Sequence, residues 1–422
     1  MGINNNKNGT QLSSSQILEL FFDSADYTEL FPMAGSSDSD AEAMAACGKV
    51  GGESVYAFAQ SIDRFDGAMS VAQANKLLKV YELALKTGYP VVGFYTGKGG
   101  RVCEGNMLLD ALGQLLCSSG KLSGVVPQIS VVLNDCLATN ALLASNADFI
   151  IKCEDTQLSL KESCCKSNRK TTLIADSDKD AIEKAKELLS YLPSNNLSVS
   201  PVCDGYDAGA GDSFIGAFDA DSALRLYEKI EDVEMYFARL MGETVGVIRT
   251  NGATISSKSA KTAASFVRFC DAFALSVVTA VDTEGFECIG GAKAMLSAYA
   301  EATCPKISVV TGTAVGTAYM VLAGKGSGAD AVLATENAVI SPVAPRAAAY
   351  IALGDKLTGD VKAQDAQLDE YVATELSAKN AAKNGFVDDI TDCQGLRNKL
   401  ANYLDMLSAK REVSLPKKHA TV

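Results

Sequence analysis

The sequence predicts an α/β chain made of two tandem lobes of similar design, each on a largely parallel sheet, and three observations predict it. A segment recurs: Val126-Pro127-Gln128-Ile129-Ser130-Val131-Val132 returns as Cys304-Pro305-Lys306-Ile307-Ser308-Val309-Val310, 178 residues on from Pro127 to Pro305. A long-period duplication of this kind means paired domains, with a site between them as the natural expectation. Short β-branched runs also alternate with stretches of helical period, the pattern of parallel strands joined by crossover helices. Finally, 422 residues at 47% hydrophobic and 21% charged supply two cores of ordinary size and exclude wholesale disorder.

In chain order, residues 1–15 are expected to form a mobile arm and 18–30 a short amphipathic element. A flexible turn at 35–40 and a small-residue helix at 41–47 follow. Residues 53–60 alternate around Val55, Tyr56 and Phe58 and predict a strand. Across 70–87, Val71, Ala74, Leu77, Leu78, Tyr81 and Leu85 keep a helical period that stops before Gly88. Then come a strand at 90–94, a helix at 104–117, a strand at 128–133, a helix at 137–146 and a strand at 148–152.

Residues 154–169 are charged, and 178–191 form a helix. The stretch 192–212 is rich in Pro, Asn, Ser, Gly and Asp, the composition of an interdomain connection. Breaking it near residue 200 gives lobes of 1–200 and 201–422. The second lobe is expected to open with the strand 243–248 and to repeat the order of the first. Its strand at 276–280 matches 90–94, and each leads into a glycine-containing loop, GKGGRVCEG or DTEGFECIGG. Its strand at 330–333 answers 148–151. A charged stretch, a helical pair and a basic end follow Arg346.

The repeated stretch 302–319 also suggests chemistry. A β-branched strand at 307–311 is followed by the small residues Gly312, Thr313, Ala314, Gly316, Thr317 and Ala318, and a helix opens near Tyr319. A strand feeding a small-residue turn into a helix start leaves backbone N–H groups without partners, with the helix dipole behind them. Such a turn can hold a developing oxyanion without any charged side chain. The first lobe has a turn of the same kind at 133–140.

Composition removes several alternatives. A net charge of −13 argues against binding nucleic acid or an anionic membrane surface. There is no run of 18 or more apolar residues, and the N-terminus, MGINNNKNGTQLSSS, lacks a leader pattern. The 12 cysteines form no C-x-x-C pair, their one close pair is Cys164-Cys165, and the single histidine is His419. Zinc ligation and Cys/His catalysis therefore lack residues, and buried free thiols in a reducing cytoplasm are expected. One local motif points elsewhere: residues 207–218, DAGAGDSFIGAF, are close to the anion-hole signature of ribokinase-like sugar kinases. The surrounding chain belongs to the twofold repeat, so a flexible glycine-rich connector is expected there.

Several separated segments resemble the carboxyltransferase subunit of biotin-dependent acyl-CoA carboxylases, of the propionyl-CoA carboxylase β type. Phe58-Ala59-Gln60-Ser61-Ile62-Asp63 with Gly67-Ala68-Met69 is similar to FSQDFT…GGS. Gly99-Gly100-Arg101-Val102-Cys103-Glu104-Gly105 resembles SGGARIQEG, and Ser123-Gly124-Val125-Val126-Pro127-Gln128-Ile129-Ser130 resembles SGVVPQIS. In the second half, 264–273 with Val281-Asp282 and Gly285-Phe286 resembles ARFVRFCDAF…VDVPGF. Residues 291–307 resemble GAKLLYAYAEATVPKI, and Lys410-Arg411-Glu412 with Pro416-Lys417-Lys418-His419 resembles KRE…PPKKHGNIP.

The resemblance implies two crotonase-type ββα-superhelix domains. The first would hold an acyl-CoA thioester, and the second carboxybiotin on a carrier protein. It also implies partner biotin carboxyl carrier and biotin carboxylase subunits and a homo-oligomer with sites shared between subunits; the cysteine pattern above adds the expectation of a cytoplasmic location and no metal. The carried-over oxyanion holes fall on Ala138 and Thr139 in the first lobe, and on Gly316, Thr317 and Ala318 in the second. Lys98 and Arg101, flanking Gly99 and Gly100, would pair with CoA phosphates. The turns themselves depart from the family: NDCLATNAL stands for GPCAGGAVY, and GTAVGTAYM for KAYGGAYD, with Met320 in place of an aspartate. The loop after Gly285-Phe286 is short. Two further readings stay open, the carboxyltransferase subunit of a sodium-pumping decarboxylase and a catalytically weak acyl-CoA-binding scaffold.

Overall fold

The structure is a computed structural model that describes residues 12–34, 43–62, 65–161, 171–204, 206–211 and 213–412. The turn expected at 35–40, the Cys164-Cys165 pair and the segment 416–419 lie outside the described residues. The chain divides into two compact units, Met1–Val199 and Ser200–Val422.

In the first unit, α1 (Ser14–Phe21) starts on a capping box between Ser13 and Gln16, so the described part of the expected arm is already structured. There follow β1 (Tyr27–Glu29), β2 (Ala43–Val50), β3 (Glu53–Gln60), α2 (Val71–Thr87), β4 (Val91–Tyr95) and α3 (Asn106–Leu122). Next come β5 (Gln128–Val132), β6 (Cys136–Leu137), α4 (Ala138–Ser145), β7 (Phe149–Cys153), β8 (Leu158–Ser159), β9 (Leu173–Ala175) and α5 (Asp178–Leu189). A seven-stranded sheet runs β1-β2-β3-β4-β5-β7-β9. Its pairs are parallel from β3 onward. β4 and β5 are buried at every residue, which is why they show continuous apolar runs rather than alternation.

The helix expected at 41–47 is instead β2. Its alanines favour helix locally, but β2 closes on β3 through eight antiparallel pairs across Gly51 and Gly52, at φ of 58° and 85°. That tight glycine hairpin overrides propensity. α2 matches its expected span: the Ser70 hydroxyl accepts the Gln73 N–H at 3.0 Å, and Gly88 ends the helix at φ 73°.

The second unit contains β10 (Leu224–Leu226), β11 (Val233–Leu240), β12 (Glu243–Thr250), α6 (Ser257–Ala272), β13 (Ser276–Thr283), α7 (Ile289–Glu301) and β14 (Lys306–Val315). A five-residue π-helical segment, Tyr319–Ala323, is followed by β15 (Ala331–Thr335), β16 (Val339–Ser341), α8 (Pro345–Leu353), α9 (Val361–Glu375), α10 (Ala378–Lys383), β17 (Asp389–Thr391) and α11 (Cys393–Leu407). The sheet runs β10-β11-β12-β13-β14-β15-β17, with β16 added beside β14. This sheet does not open at 243 as expected, since β10 and β11 precede β12. β14 also runs through Gly312–Ala314, which the sequence suggested as turn. Those residues stay extended because they pair with Thr283 on one side and with β16 on the other.

The kinase-like segment is not a loose connector. The Gly209 N–H donates to Phe218 O and the Gly211 N–H to Gly216 O, both at 3.0 Å. A single 3₁₀ turn, Ile215–Ala217, follows, and the glycine N–H groups are already bonded. Asp212 lies outside the described residues. Arg397 of α11 anchors the end of this segment through Ala217 O at 3.2 Å and the Asp219 carboxylate at 2.5 Å.

Candidate functional site

In the first unit, the chain leaves β5 and passes through β6, which is held beside β8. It enters α4 at Ala138 in a left-handed conformation, φ 54°. No side chain caps this helix start, whereas Ser70, Ser177 and Ser256 cap α2, α5 and α6. Ala138 and Thr139 are half-buried, and their N–H groups belong to the first turn, ahead of any intrahelical partner.

The predicted loop is brought to the same place. The Gly99 N–H donates to Leu137 O at 3.1 Å, the Met69 N–H to Gly99 O at 3.0 Å, and the Arg101 N–H to Met69 O at 2.9 Å. A Cβ on Gly99 would lie 3.5 Å from the Ala138 methyl. Gly100 pairs with Met69, and Lys98 is exposed. Arg101 is engaged within the chain, its guanidinium 4.0 Å over the Phe65 ring and 3.9 Å from Glu104, with 9% of the side chain exposed. Lys98 is thus the more accessible cation of the two.

In the second unit, the equivalent left-handed residue is Gly316, φ 47°. Ala138 and Gly316 stand 178 residues apart, the same spacing as the repeated strands. The Gly316 N–H donates to Ser341 O at 2.8 Å, so it is bonded within the protein. The Met320 N–H donates to Gly316 O at 3.1 Å as the first helical bond, which leaves the N–H groups of Thr317 and Ala318 in the turn before it. Again no side chain caps the start. Thr317 is exposed and Ala318 buried. The loop at Gly285 comes close, since a Cβ there would lie 3.8 Å from Thr317 Oγ1.

Two supports were not singled out from the sequence. Asp282 Oδ1 accepts the Thr313 N–H at 2.8 Å, and a Cβ on Gly312 would collide with that carboxylate at 2.3 Å. In the first unit, the buried amides of Gln60 and Asn140 meet at 3.3 Å behind the Lys98–Arg101 loop. Gln60 and Asn140 lie far apart in sequence, and polar residues in otherwise apolar segments were the only available signal.

Ionisable side chains offer little at the turns. Burial pushes the Cys136 thiol, beside the first turn, well up and keeps it neutral, and burial pushes the Tyr81 hydroxyl up to about 12. The expectation of buried thiols holds for Cys136, Cys153, Cys270 and Cys304 but not for Cys103, Cys117 and Cys288, which are exposed. The Ser257 hydroxyl and the Gly291 N–H lower the pKa of Cys288 at the start of α7. Among the described residues, no group of three or more His, Cys, Asp or Glu is placed to hold a metal ion. No described helix is long and apolar enough to cross a membrane.

The carboxyl transferase domain family matches residues 5–161 and 233–422. The propionyl-CoA carboxylase beta chain of Saccharopolyspora erythraea is 32% identical, over 89% of this chain and 82% of that protein. The methylmalonyl-CoA decarboxylase subunit alpha of Veillonella parvula is 31% identical, over 89% and 84%. Among solved structures, the transcarboxylase 12S hexamer with methylmalonyl-coenzyme A and methylmalonic acid bound superposes with a TM-score of 0.88 at 26% identity, covering 97% of this chain and 92% of that one. The two units are accordingly tandem crotonase-type domains.

Proposed function

The chain belongs to the carboxyl transferase domain family, and on that premise we propose that it is the carboxyltransferase component of a biotin-dependent acyl-CoA carboxylase, acting on a short acyl-CoA. The observation behind the site assignment is the pair of left-handed residues, Ala138 and Gly316, separated by the repeat length, each leading into a helical segment that no side chain caps. We assign the thioester to the lobe 1–200 and biotin to the lobe 201–422.

In the first lobe, the N–H groups of Ala138 and Thr139 face the thioester oxygen. Negative charge grows there as the α-proton leaves, and donors fixed by backbone geometry stabilise the enolate without reorganising. Lys98 and Arg101 flank Gly99 and Gly100 on the path of the CoA phosphates, with Lys98 the more accessible. In the second lobe, the N–H groups of Thr317 and Ala318 are donors beside an exposed Met320, a set that suits a neutral ureido carbonyl with an apolar tail. Gly316 shapes that turn, its own N–H being held by Ser341. Carboxybiotin, when bound, supplies the carboxyl group that is transferred. Biotin reaches this chain on a partner carrier protein, loaded by a biotin carboxylase subunit, and the chain acts as a homo-oligomer. We place it in the cytoplasm, where its free cysteines stay reduced.

The near-equal identity to a decarboxylase alpha subunit favours a second reading, the same transfer run from an acyl-CoA to biotin. Incubating the purified protein with methylmalonyl-CoA and free biotin tests the transfer step common to both readings, run from the acyl-CoA to biotin. Biotin-dependent formation of propionyl-CoA is expected. Propionyl-CoA formed at a rate independent of biotin would contradict the assignment, and no formation at all would leave an acyl-CoA-binding scaffold.

A further inference from the structure

We propose that Asn140 is a positioning residue for the acyl-CoA half of the reaction, fixing the first turn of α4 against the Lys98–Arg101 loop; the functional part of this inference rests on the proposed carboxyl transfer. Asn140 is 0% exposed. Its Nδ2 donates to Gly99 O at 3.2 Å and to Gly67 O at 3.5 Å, and its Oδ1 accepts Gln60 Nε2 at 3.3 Å. Gln60 extends the network: its Oε1 accepts the Thr96 N–H at 3.3 Å, and its carbonyl accepts Thr96 Oγ1 at 3.1 Å. One side chain from α4 thereby joins the end of β3, the turn at Gly67 and the loop after β4.

These segments have no slack. A Cβ on Gly97 would lie 2.0 Å from Gly67 O and 2.8 Å from Asn140 Nδ2, and a Cβ on Gly67 would lie 2.6 Å from Gly97 Cα. The two loops meet backbone to backbone, and the Asn140 amide closes the third side. Both Nδ2 partners are carbonyl oxygens, so only a donor fits there. An aspartate of the same size would set a carboxylate against two carbonyls. The second unit shows that a buried polar group is not demanded by the fold, because the residue at the same repeat spacing is Ala318, equally buried. The hub stands one residue beyond Thr139 and bonds directly to Gly99, so it sets the separation between the oxyanion donors and the loop that flanks CoA.

The test uses the full chain with Asn140→Asp, Asn140→Ala and, from the other side of the network, Gln60→Glu. Steady-state kinetics with methylmalonyl-CoA and biotin are expected to show kcat/KM reduced about a hundredfold, mostly in kcat, the size of effect that small misplacement of reacting groups produces. Amide hydrogen exchange is expected to quicken across 65–69 and 97–101 while 313–318 stays at the wild-type rate. Wild-type kinetics together with unchanged exchange at 97–101 would overturn the proposal. Failure of all three variants to fold would overturn it too, by making the amide pair a core element. Should the wild type itself show no transfer, the proposed reaction falls, and the exchange data alone decide whether Asn140 holds the loop.

Discussion

The hairpin β2–β3 turns on Gly51-Gly52, and the hairpin β11–β12 turns on Met241-Gly242 with φ of 54° and 82°, close to the 58° and 85° of the first. Each hairpin closes eight pairs. The correspondence continues through the sheets. The Gln128 N–H donates to the Asp148 carboxylate at 2.9 Å, and the Lys306 N–H donates to the Asp330 carboxylate at 2.8 Å. The side chains at the same two positions reach main-chain carbonyls of the preceding helix, Gln128 to Ser119 O at 3.1 Å and Lys306 to Tyr299 O at 2.8 Å. Backbone pairing has kept both units alike while the side chains performing each task have changed.

The units differ where ligands are proposed to sit. The left-handed residue is alanine in the first and glycine in the second. Beyond it stands a polar hub on Asn140 in one and the apolar Ala318 in the other. Only the second unit carries the Arg397–Asp219 bridge to its C-terminal helix. The duplicated frame tolerates exchange of side chains, and the local solutions at the two turns differ.

The largest expected effect breaks the second unit alone. Arg397 and Asp219 are 12% and 3% exposed at the side chain, and removing the arginine leaves the buried carboxylate without its countercharge, held by the Met241 and Gly242 N–H groups. Arg397→Ala should cost about 3–5 kcal/mol. Urea denaturation followed by a probe in each unit should show the 200–422 transition moving while the other stays in place.

An exchange at the turns comes next. Gly316→Ala puts a Cβ 2.8 Å from Pro342 O at a positive φ and should destabilise by about 1–3 kcal/mol. Ala138→Gly relieves the same conformation and should stabilise by roughly 0.5–1 kcal/mol after the entropy of the unfolded glycine is counted. Equal responses at the two positions, measured as shifts in denaturant midpoint, would dissolve the distinction between the turns.

The smallest effect concerns acid. Burial raises the pKa of Asp232, but the hydrogen bonds from Ser259 Oγ at 2.6 Å and the Ser256 N–H at 2.7 Å outweigh it, leaving the carboxyl below its ordinary value. The folded pKa is depressed, so the stabilisation is present above about pH 4 and is lost as pH falls through the folded value. Asp232→Asn should flatten the acid limb of the second unit's stability curve. An unchanged limb in that variant would move the cause elsewhere.

Much of this frame was legible in the sequence because β-branched runs and helical periods lie on the chain itself. The matched segments at 126–132 and 304–310 marked the duplication, and the spans 71–87 and 178–189 were placed to within two residues at each end. β2 was not legible, since Ala and Met favour helix locally and only its partner strand makes it extended. The turns stood out through their small residues. The bonding around them did not: the Gly316 N–H finds Ser341 across a strand pairing, and Asn140 finds Gln60 across the whole of α2, β4 and α3.

We propose that the first unit's turn holds the thioester and the second unit's turn does not. Titrating propionyl-CoA by calorimetry into the wild type, Thr139→Trp and Thr317→Trp tests it most directly. The chain contains no tryptophan, so each new indole also reports on the fold of its own unit. Binding to the wild type and to Thr317→Trp, with at least a tenfold loss in Thr139→Trp, is the predicted result. Unaltered affinity in a folded Thr139→Trp variant would contradict it.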